Sequence, residues 1–440
     1  MDKLNQWLDK YCALFPFSGI VRLTQRDEVL FQRCIGKANI ELDVPITPKS
    51  RFRFYSLTKP FCAIGALMLR DRSLLSLDAH PSRYLPQTTY MHPNMTIRSL
   101  LNHSSGLPDF GESAKFNTTL QFERPPDKER LLACVRDLPI HFSPGEGSHY
   151  CNFNFFLASL IIERLAAMPF ERFIEEEVFA PLGMNGAAMD SAERLVPNRA
   201  SGYEFNGNTL VAAPYTAIEW MMGAGAGIGT VDDVYCLNMA IKHRLLLSDD
   251  SWTQALTPGH GNYGLGCTVS RWHGRLRYTH NGGHYGFRTL HIQLPEEDLD
   301  IIALSNFGFG NFRAAFAEAV RAAIGDAKDA GGAQPRMDPG FASPASEICD
   351  PLNPARPAPV ALTEQQQEEY VGEYVNDTGS QRISVVFEDG QWSIAFGDGS
   401  RRMEVYPCGA DSFFHCHIDE KYTFDRDEKG LSFWGMRKQE

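Results

Sequence analysis

Two side chains stand three apart in F-Y-S-L-T-K, residues 54–59. Ser56 offers a hydroxyl and Lys59 an amine, just before the apolar run P-F-C-A-I-G-A-L-M-L. At the start of a helix, positions i and i+3 share a face, so the two groups fall within hydrogen-bond reach. A serine hydroxyl is a poor nucleophile without a neighbouring base. A lysine desolvated among apolar residues gives up its proton more readily and can be that base. The helix N-terminus adds unpaired N–H groups and a positive dipole end, which suit a developing oxyanion. The plainer reading is a capped helix start with a lysine that snorkels to water. Ser-x-x-Lys arises by chance in most chains of this length, and Pro60 disfavours helical angles at Lys59.

Two further groups bear on the choice. Tyr150-Cys151-Asn152 follows the turn F-S-P-G-E-G and precedes the apolar helix F-F-L-A-S-L-I-I. A tyrosine beside a lysine can act as base or proton shuttle, and an asparagine two along can orient lysine and substrate. A second copy, Tyr374-Val375-Asn376, reads as a strand end and turn. The stretch Y-T-H-N-G-G-H-Y-G-F-R, residues 278–288, is a glycine-rich strand. Glycine there lets a substrate backbone approach and can supply an oxyanion N–H. Two His-x-Gly registers compete in it, His280-Asn281-Gly282 and His284-Tyr285-Gly286. Either histidine can also be an ordinary strand residue.

These groups need elements to position them. Leu4, Trp7, Leu8 and Tyr11 mark an amphipathic first helix. A strand, a polar turn at Arg26-Asp27 and a second strand follow. Residues 60–71 read as a strong helix and 96–240 as mostly helical. Residues 264–304 read as strand-rich, and F-R-A-A-F-A-E-A-V-R-A-A-I as a closing helix. The order predicts an α/β (α+β) domain, residues 1–328, with an antiparallel sheet built from both ends, flanked by helices and a helical lobe. A proline-rich linker spans 329–361. Short alternating segments over 362–440 predict a small antiparallel barrel or curled sheet, of which a lipocalin-like barrel is the expectation.

Composition sets limits. The chain has 440 residues, 43% hydrophobic and 22% charged, the profile of a folded multidomain protein. A net charge of -12 argues against nucleic acid and anionic lipid as partners. The N-terminus lacks the apolar stretch of a secretory signal, and no window is long enough to span a membrane. Ten cysteines without C-x-x-C spacing read as reduced thiols. Cytoplasmic location is the expectation.

Taken in order, Ser56-x-x-Lys59, Tyr150-x-Asn152 and His280-x-Gly282 resemble the serine β-lactamase and penicillin-binding protein superfamily. The match is to its class C-like branch of D-aminopeptidases, D-alanyl-D-alanine carboxypeptidases and esterases, peptidase S12-like. The stretches T-I-R-S-L-L-N-H-S-S-G-L-P-D-F, F-S-P-G-E-G-S-H-Y-C-N-F-N, P-L-G-M, G-A-G-I-G-T-V-D-D and I-I-A-L-S-N-F extend it over residues 10–325. The resemblance implies a β-lactamase/transpeptidase-like fold and a serine hydrolase working through an acyl-enzyme. Ser56 would be the nucleophile, Lys59 its base and Tyr150 the partner base or proton shuttle. Asn152, His280 and Gly282 would orient substrate, and the N–H groups of Ser56 and Gly283 would form the oxyanion hole. His103 is read as scaffold. The expected substrate is a small molecule or short peptide, an amide with a D-residue; a carboxylic ester is the alternative. A non-catalytic binding or sensor protein on the same fold is the alternative of another class. No cofactor or metal is called for, and self-association through the barrel is left open.

Two residues depart from the family pattern. Histidine at 280 replaces the usual lysine, which disfavours strong β-lactamase action and favours neutral or amine-bearing substrates. Cys151 replaces a more usual serine and reads as inert packing. Elsewhere, His415 and His417 share a strand face, a weak metal pattern. Glu175, Glu176 and Glu177 read as a solvated helix face, and Arg288 as a surface salt bridge in preference to a partner for a substrate carboxylate.

Overall fold

The computed structural model describes residues 1–88, 91–124, 126–325, 351–376, 382–397, 399, 401–427 and 430–439. Six strands form the central sheet in the order Thr268–Trp272, Arg275–His284, Phe287–Leu294, Leu299–Ser305, Gly19–Gln25 and Glu28–Ile35. Every neighbouring pair is antiparallel. Gly19 pairs with Ser305 and Gln25 with Leu299, so the two ends of the body meet in mid-sheet. This is the sheet expected from the sequence.

Strand alternation explains why the sheet is covered on both faces. Val21, Leu23, Leu290, Ile292, Ile301 and Ala303 point to one side. There they pack under the first helix, Asp2–Leu14, and the closing helix, Phe312–Ile324. Ile20, Ile302 and Leu304 point the other way, into a larger core that contains the helices Lys59–Asp71 and Asn152–Ala166. Those two helices are apolar nearly all round, as buried helices must be.

The middle of the chain is less helical than its composition suggests. Between the helices Ile97–Leu101 and Val231–Lys242 lie a hairpin, Tyr203–Asn206 with Thr209–Ala212, and two strands, Ala188–Met189 and Gly227–Gly229, that form a small sheet with the earlier Phe52–Arg53. Among the described residues no single helix is long and apolar enough to cross a membrane.

The C-terminal eight strands close into an antiparallel barrel, the first, Gly372–Val375, pairing with the last, Met436–Lys438. Tyr374, Val385, Ile394, Val405, Phe413, Phe424 and Phe433 fill its interior. Phe414 turns outward and joins the core beneath the first helix. Tyr11 donates a buried 2.7 Å hydrogen bond to Asp419 of the barrel. Arg356 ties the same places together, donating to the Cys416 carbonyl at 2.6 Å and the Leu14 carbonyl at 2.7 Å. The expected boundary at 328/329 and the linker as far as 350 lie outside the described residues.

Candidate active site

The Ser56 segment is held by its neighbours before any chemistry is considered. Phe52 and Arg53 pair with Gly229 and Ile228. A 3-10 turn, Tyr55–Thr58, then runs directly into the helix that begins at Lys59. Tyr55 adopts φ +46, an uncommon left-handed conformation for a bulky residue and a source of strain beside Ser56. Lys59 is helical at φ -57 and ψ -42 in spite of Pro60. Pro60 falls in the first turn, where its missing N–H leaves no bond unmade.

Lys59 is fully buried. Its Nζ lies 3.0 Å from Ser56 Oγ, 2.8 Å from Asn152 Oδ1 and 2.9 Å from the Ala224 carbonyl. Burial pulls its pKa down from 10.5 to about 7. A neutral amine has two N–H donors and one lone pair. The Asn152 and Ala224 oxygens can only accept, so they take the two donors. The lone pair is then left facing the Ser56 hydroxyl, the arrangement a general base needs.

The supporting residues explain why the amine stays there. Asn152 donates from Nδ2 to Asp109 at 2.8 Å, which turns its Oδ1 toward Lys59. Asp109 also accepts the Phe153 N–H at 3.0 Å, fixing the first turn of the Asn152 helix. Ala224 ends a tight segment in which Met222 has φ +39. A Cβ on Gly223 would lie 2.5 Å from Cys62 Sγ and Ser159 Oγ, so only glycine lets this carbonyl approach.

Tyr150 sits with its ring 4.7 Å from Lys59 Nζ. It is 41% exposed and lines the cleft beside Ser56. Desolvation by the surrounding protein pushes the phenol pKa up, and the Ser56 hydrogen bond opposes this only in part. A raised pKa keeps the proton on the phenol at neutral pH, so the group could act as a proton donor. His103 packs its ring 4.4 Å from Tyr150, and its Nδ1 accepts the Cys151 N–H at 3.2 Å. Cys151 is buried, with its thiol pKa raised by burial, as an inert packed thiol should be.

His280 lies behind the cleft wall and is 5% exposed. Its Nδ1 is 2.6 Å from the Asn281 carbonyl, which can only accept, so Nδ1 carries the proton. Nε2 then accepts from the Tyr263 hydroxyl at 2.7 Å. Burial, with Lys59 adding to it, lowers the ring pKa to about 3. A neutral ring with both nitrogens engaged in this way braces the strand and Tyr263. Gly282 is also structural in position: a Cβ there would lie 1.9 Å from the Phe54 carbonyl. Gly283 is exposed and lines the cleft with Ser56 and Tyr150.

The cleft has a volume of about 840 Å³. Its walls include Asn281, His284, Tyr285, Glu204, Arg288 and, from the barrel, Arg401. Glu204, Arg288, Arg313 and Arg401 also line a second space of about 530 Å³ between body and barrel. Arg288 is thus a cleft residue, donating to the His284 carbonyl at 3.3 Å and the Phe287 carbonyl at 3.1 Å. Among the described residues it has no carboxylate within 4.0 Å, which corrects the expected surface salt bridge. His415 and His417 are not joined as ligands: His415 Nδ1 accepts the His417 N–H at 3.0 Å, and His417 pairs with Glu404 at 3.1 Å. Glu175, Glu176 and Glu177 pair with Arg194, Arg172 and Arg72, so the helix face is ion-paired rather than merely solvated.

Asp109, Ala224 and Tyr263 were not singled out by sequence. Asp109 stood in the quoted S-G-L-P-D-F, but an orienting carboxylate has no spacing signature. Ala224 acts through its backbone, which residue identity does not encode.

This fold and this Ser-Lys-Tyr arrangement define a class of serine hydrolases, and residues 17–326 match the Beta-lactamase family model, so the chain belongs to the beta-lactamase family. A penicillin-binding protein of Bacillus subtilis is 28% identical over 313 residues, covering 66% of this chain and 68% of that one. A D-aminopeptidase of Gluconobacter oxydans is 28% identical over 320 residues, 71% of this chain and 60% of its own length. The chain therefore spans under two thirds of that relative. The octameric penicillin-binding protein homologue from Pyrococcus abyssi has the same fold over 99% of both chains, with a TM-score of 0.65 and 20% identity.

Proposed function

We propose that the protein hydrolyses a small amide or short peptide containing a D-residue, through an acyl-enzyme on Ser56. The observation that carries this reading is the Lys59 amine, lowered to a pKa of about 7 and held by two acceptors so that its lone pair faces Ser56. Lys59 Nζ takes the Ser56 proton as Oγ bonds to the carbonyl carbon. The oxyanion is held by the N–H groups of Ser56 and Gly283. Tyr150 protonates the leaving nitrogen as the C–N bond breaks, and Lys59 restores the phenol proton. Water then attacks the ester, with the same groups returning the serine hydroxyl.

The D-residue preference is supported by the likeness to D-aminopeptidases. Glu204 on the cleft wall offers a partner for a substrate amine, in keeping with the amine-bearing substrates expected from His280. The body–barrel space gives an extended substrate somewhere to run. The same reading includes the division into 1–328, 329–361 and 362–440, with the barrel docked through Phe414 and Asp419. It also includes a cytoplasmic location, supported by nine free thiols among the described residues. Association of copies is included on the likeness to the Pyrococcus protein.

Intact mass after a fluorophosphonate probe, with D- and L-alanine p-nitroanilide as paired substrates, tests the reading. The expected result is one adduct on the wild type, none on Ser56→Ala, and faster turnover of the D-substrate. No adduct on the wild type overturns the acyl-enzyme. Equal or faster turnover of the L-substrate overturns the stereochemical part.

A further inference from the structure

We propose that Glu112, His141 and His149 form a site for a divalent cation of the zinc class, clasping the chain just before Tyr150. The site is distinct from the Ser56 machinery, and no step of the hydrolysis is assigned to it.

The three residues are distant in sequence and brought together by backbone bonds. Segment 141–149 is laid along 103–106: the His141 N–H donates to the Gly106 carbonyl at 2.8 Å, Gly145 to Ser104 at 2.8 Å and His149 to His103 at 2.9 Å. Gly106 has φ +70, and a Cβ there would lie 2.0 Å from the Phe142 carbonyl, so the two segments lie close together. The 3-10 turn Phe110–Glu112 then presents Glu112 to both rings.

The ligand atoms converge. His141 Nε2 is 3.0 Å and His149 Nε2 is 3.4 Å from Glu112 Oε1. All three ligand atoms lie within 4.8 Å of one another, and among the described residues this is the one such group of three. A tetrahedral zinc ion with bonds of about 2.0–2.1 Å has ligand–ligand edges of about 3.3 Å. The two separations to Glu112, 3.0 and 3.4 Å, are close to that edge. His149 Nε2 supplies a second indication. It is shut off from water and has no hydrogen-bond partner, though it faces the carboxylate. Glu112 Oε1 already accepts from His141 and from the Asp109 N–H at 2.8 Å. A cation between the three groups would satisfy the orphaned nitrogen and relieve the crowded oxygen.

Two imidazoles and one carboxylate select borderline cations such as zinc or cobalt over magnesium or calcium, and leave one position for water. The placement gives the clasp its meaning. His149 directly precedes Tyr150, and Glu112 caps Asp109, which holds Asn152. One ion would therefore lock the segment leading into Tyr150 and Asn152 to the turn that carries Asp109, the carboxylate that orients Asn152.

The test is titration of metal-stripped full-length protein with zinc sulfate and with cobalt chloride. The expected result is one equivalent of zinc, a thermal midpoint raised by several degrees in excess zinc, and cobalt absorption bands of a tetrahedral N/O site. His141→Ala should lose all three while keeping the wild-type circular dichroism. Should that variant not fold, protection of His141 and His149 in the wild type from diethylpyrocarbonate by zinc, read by peptide mass, replaces it. The proposal is overturned by no binding at tens of micromolar zinc, by unchanged binding in folded His141→Ala, by thiolate-to-cobalt charge-transfer bands, or by absence of protection.

Discussion

At the scale of single residues, Lys59 links protonation to both activity and stability. Its pKa of about 7 against 10.5 for a free side chain is caused chiefly by burial. The neutral amine is the active form, so kcat/KM should rise through an apparent pKa near 7 and then level off. Tyr150, with its pKa raised, should give no falling limb below pH 10, and His280 is neutral throughout. A pH–rate profile on a non-ionising substrate checks this. The stability effect has a definite sign. Between the folded and unfolded pKa values the unfolded chain binds the extra proton, so this group's contribution rises with pH. Relative to Lys59→Met, the wild type should gain up to about 1.4 kcal/mol per pH unit between 7 and 10.5. Denaturant melts of both proteins across that range measure it, and the variant should lose about a thousandfold or more in kcat, as removal of a triad member does. Of this site, the Ser56–Lys59 spacing was legible because helix periodicity places both groups. The choice between proton donor and phenolate at Tyr150 was not, since it depends on how distant parts of the chain surround the phenol.

At the scale of elements, the third-motif strand and the Ser56 turn are fitted backbone to backbone. Two adjacent glycines separate fit from chemistry. Gly282→Ala would drive a Cβ to 1.9 Å from the Phe54 carbonyl, so strand or turn must move. Overpacking of this kind costs about 1–3 kcal/mol, and kcat should fall by about tenfold to a hundredfold as Ser56 shifts. Gly283→Ala meets only the Arg288 side chain, at 3.0 Å, which can swing away. Its thermal midpoint should stay near that of the wild type. Paired melting and rate measurements on the two variants decide the matter. The strands here were readable from alternation, and the terminal helices from their apolar faces. The stretch 96–240 was not, because short apolar runs among glycines and prolines fit buried helix and buried coil equally well.

At the scale of the whole molecule, the barrel shapes the site as well as following it in sequence. Arg401, from the barrel, lies on the wall of the cleft that holds Ser56 and reaches the Phe205 carbonyl at 3.5 Å. Arg401→Ala should raise KM severalfold for substrates long enough to enter the body–barrel space. It should leave short amides and the fluorophosphonate rate unchanged, since Ser56 and Lys59 are untouched. Steady-state kinetics on a length series measures this. The short alternating strands announced a barrel or curled sheet, but its closure and its docking were not legible, the latter resting on Phe414, Asp419 and Arg356, whose partners lie some 340 to 410 positions away.

The mid-sheet pairing of Gly19–Gln25 with Leu299–Ser305 has a consequence during synthesis. A ribosome adding about 5–20 residues per second needs roughly 15–55 seconds to travel from one strand to the other. For a comparable time after it emerges, the N-terminal hairpin has one edge unpaired and lacks the closing helix over Val21 and Leu23, open to strand addition from other nascent chains. The protein's yield in a cell should therefore depend on what shields that hairpin while the rest of the chain is being made.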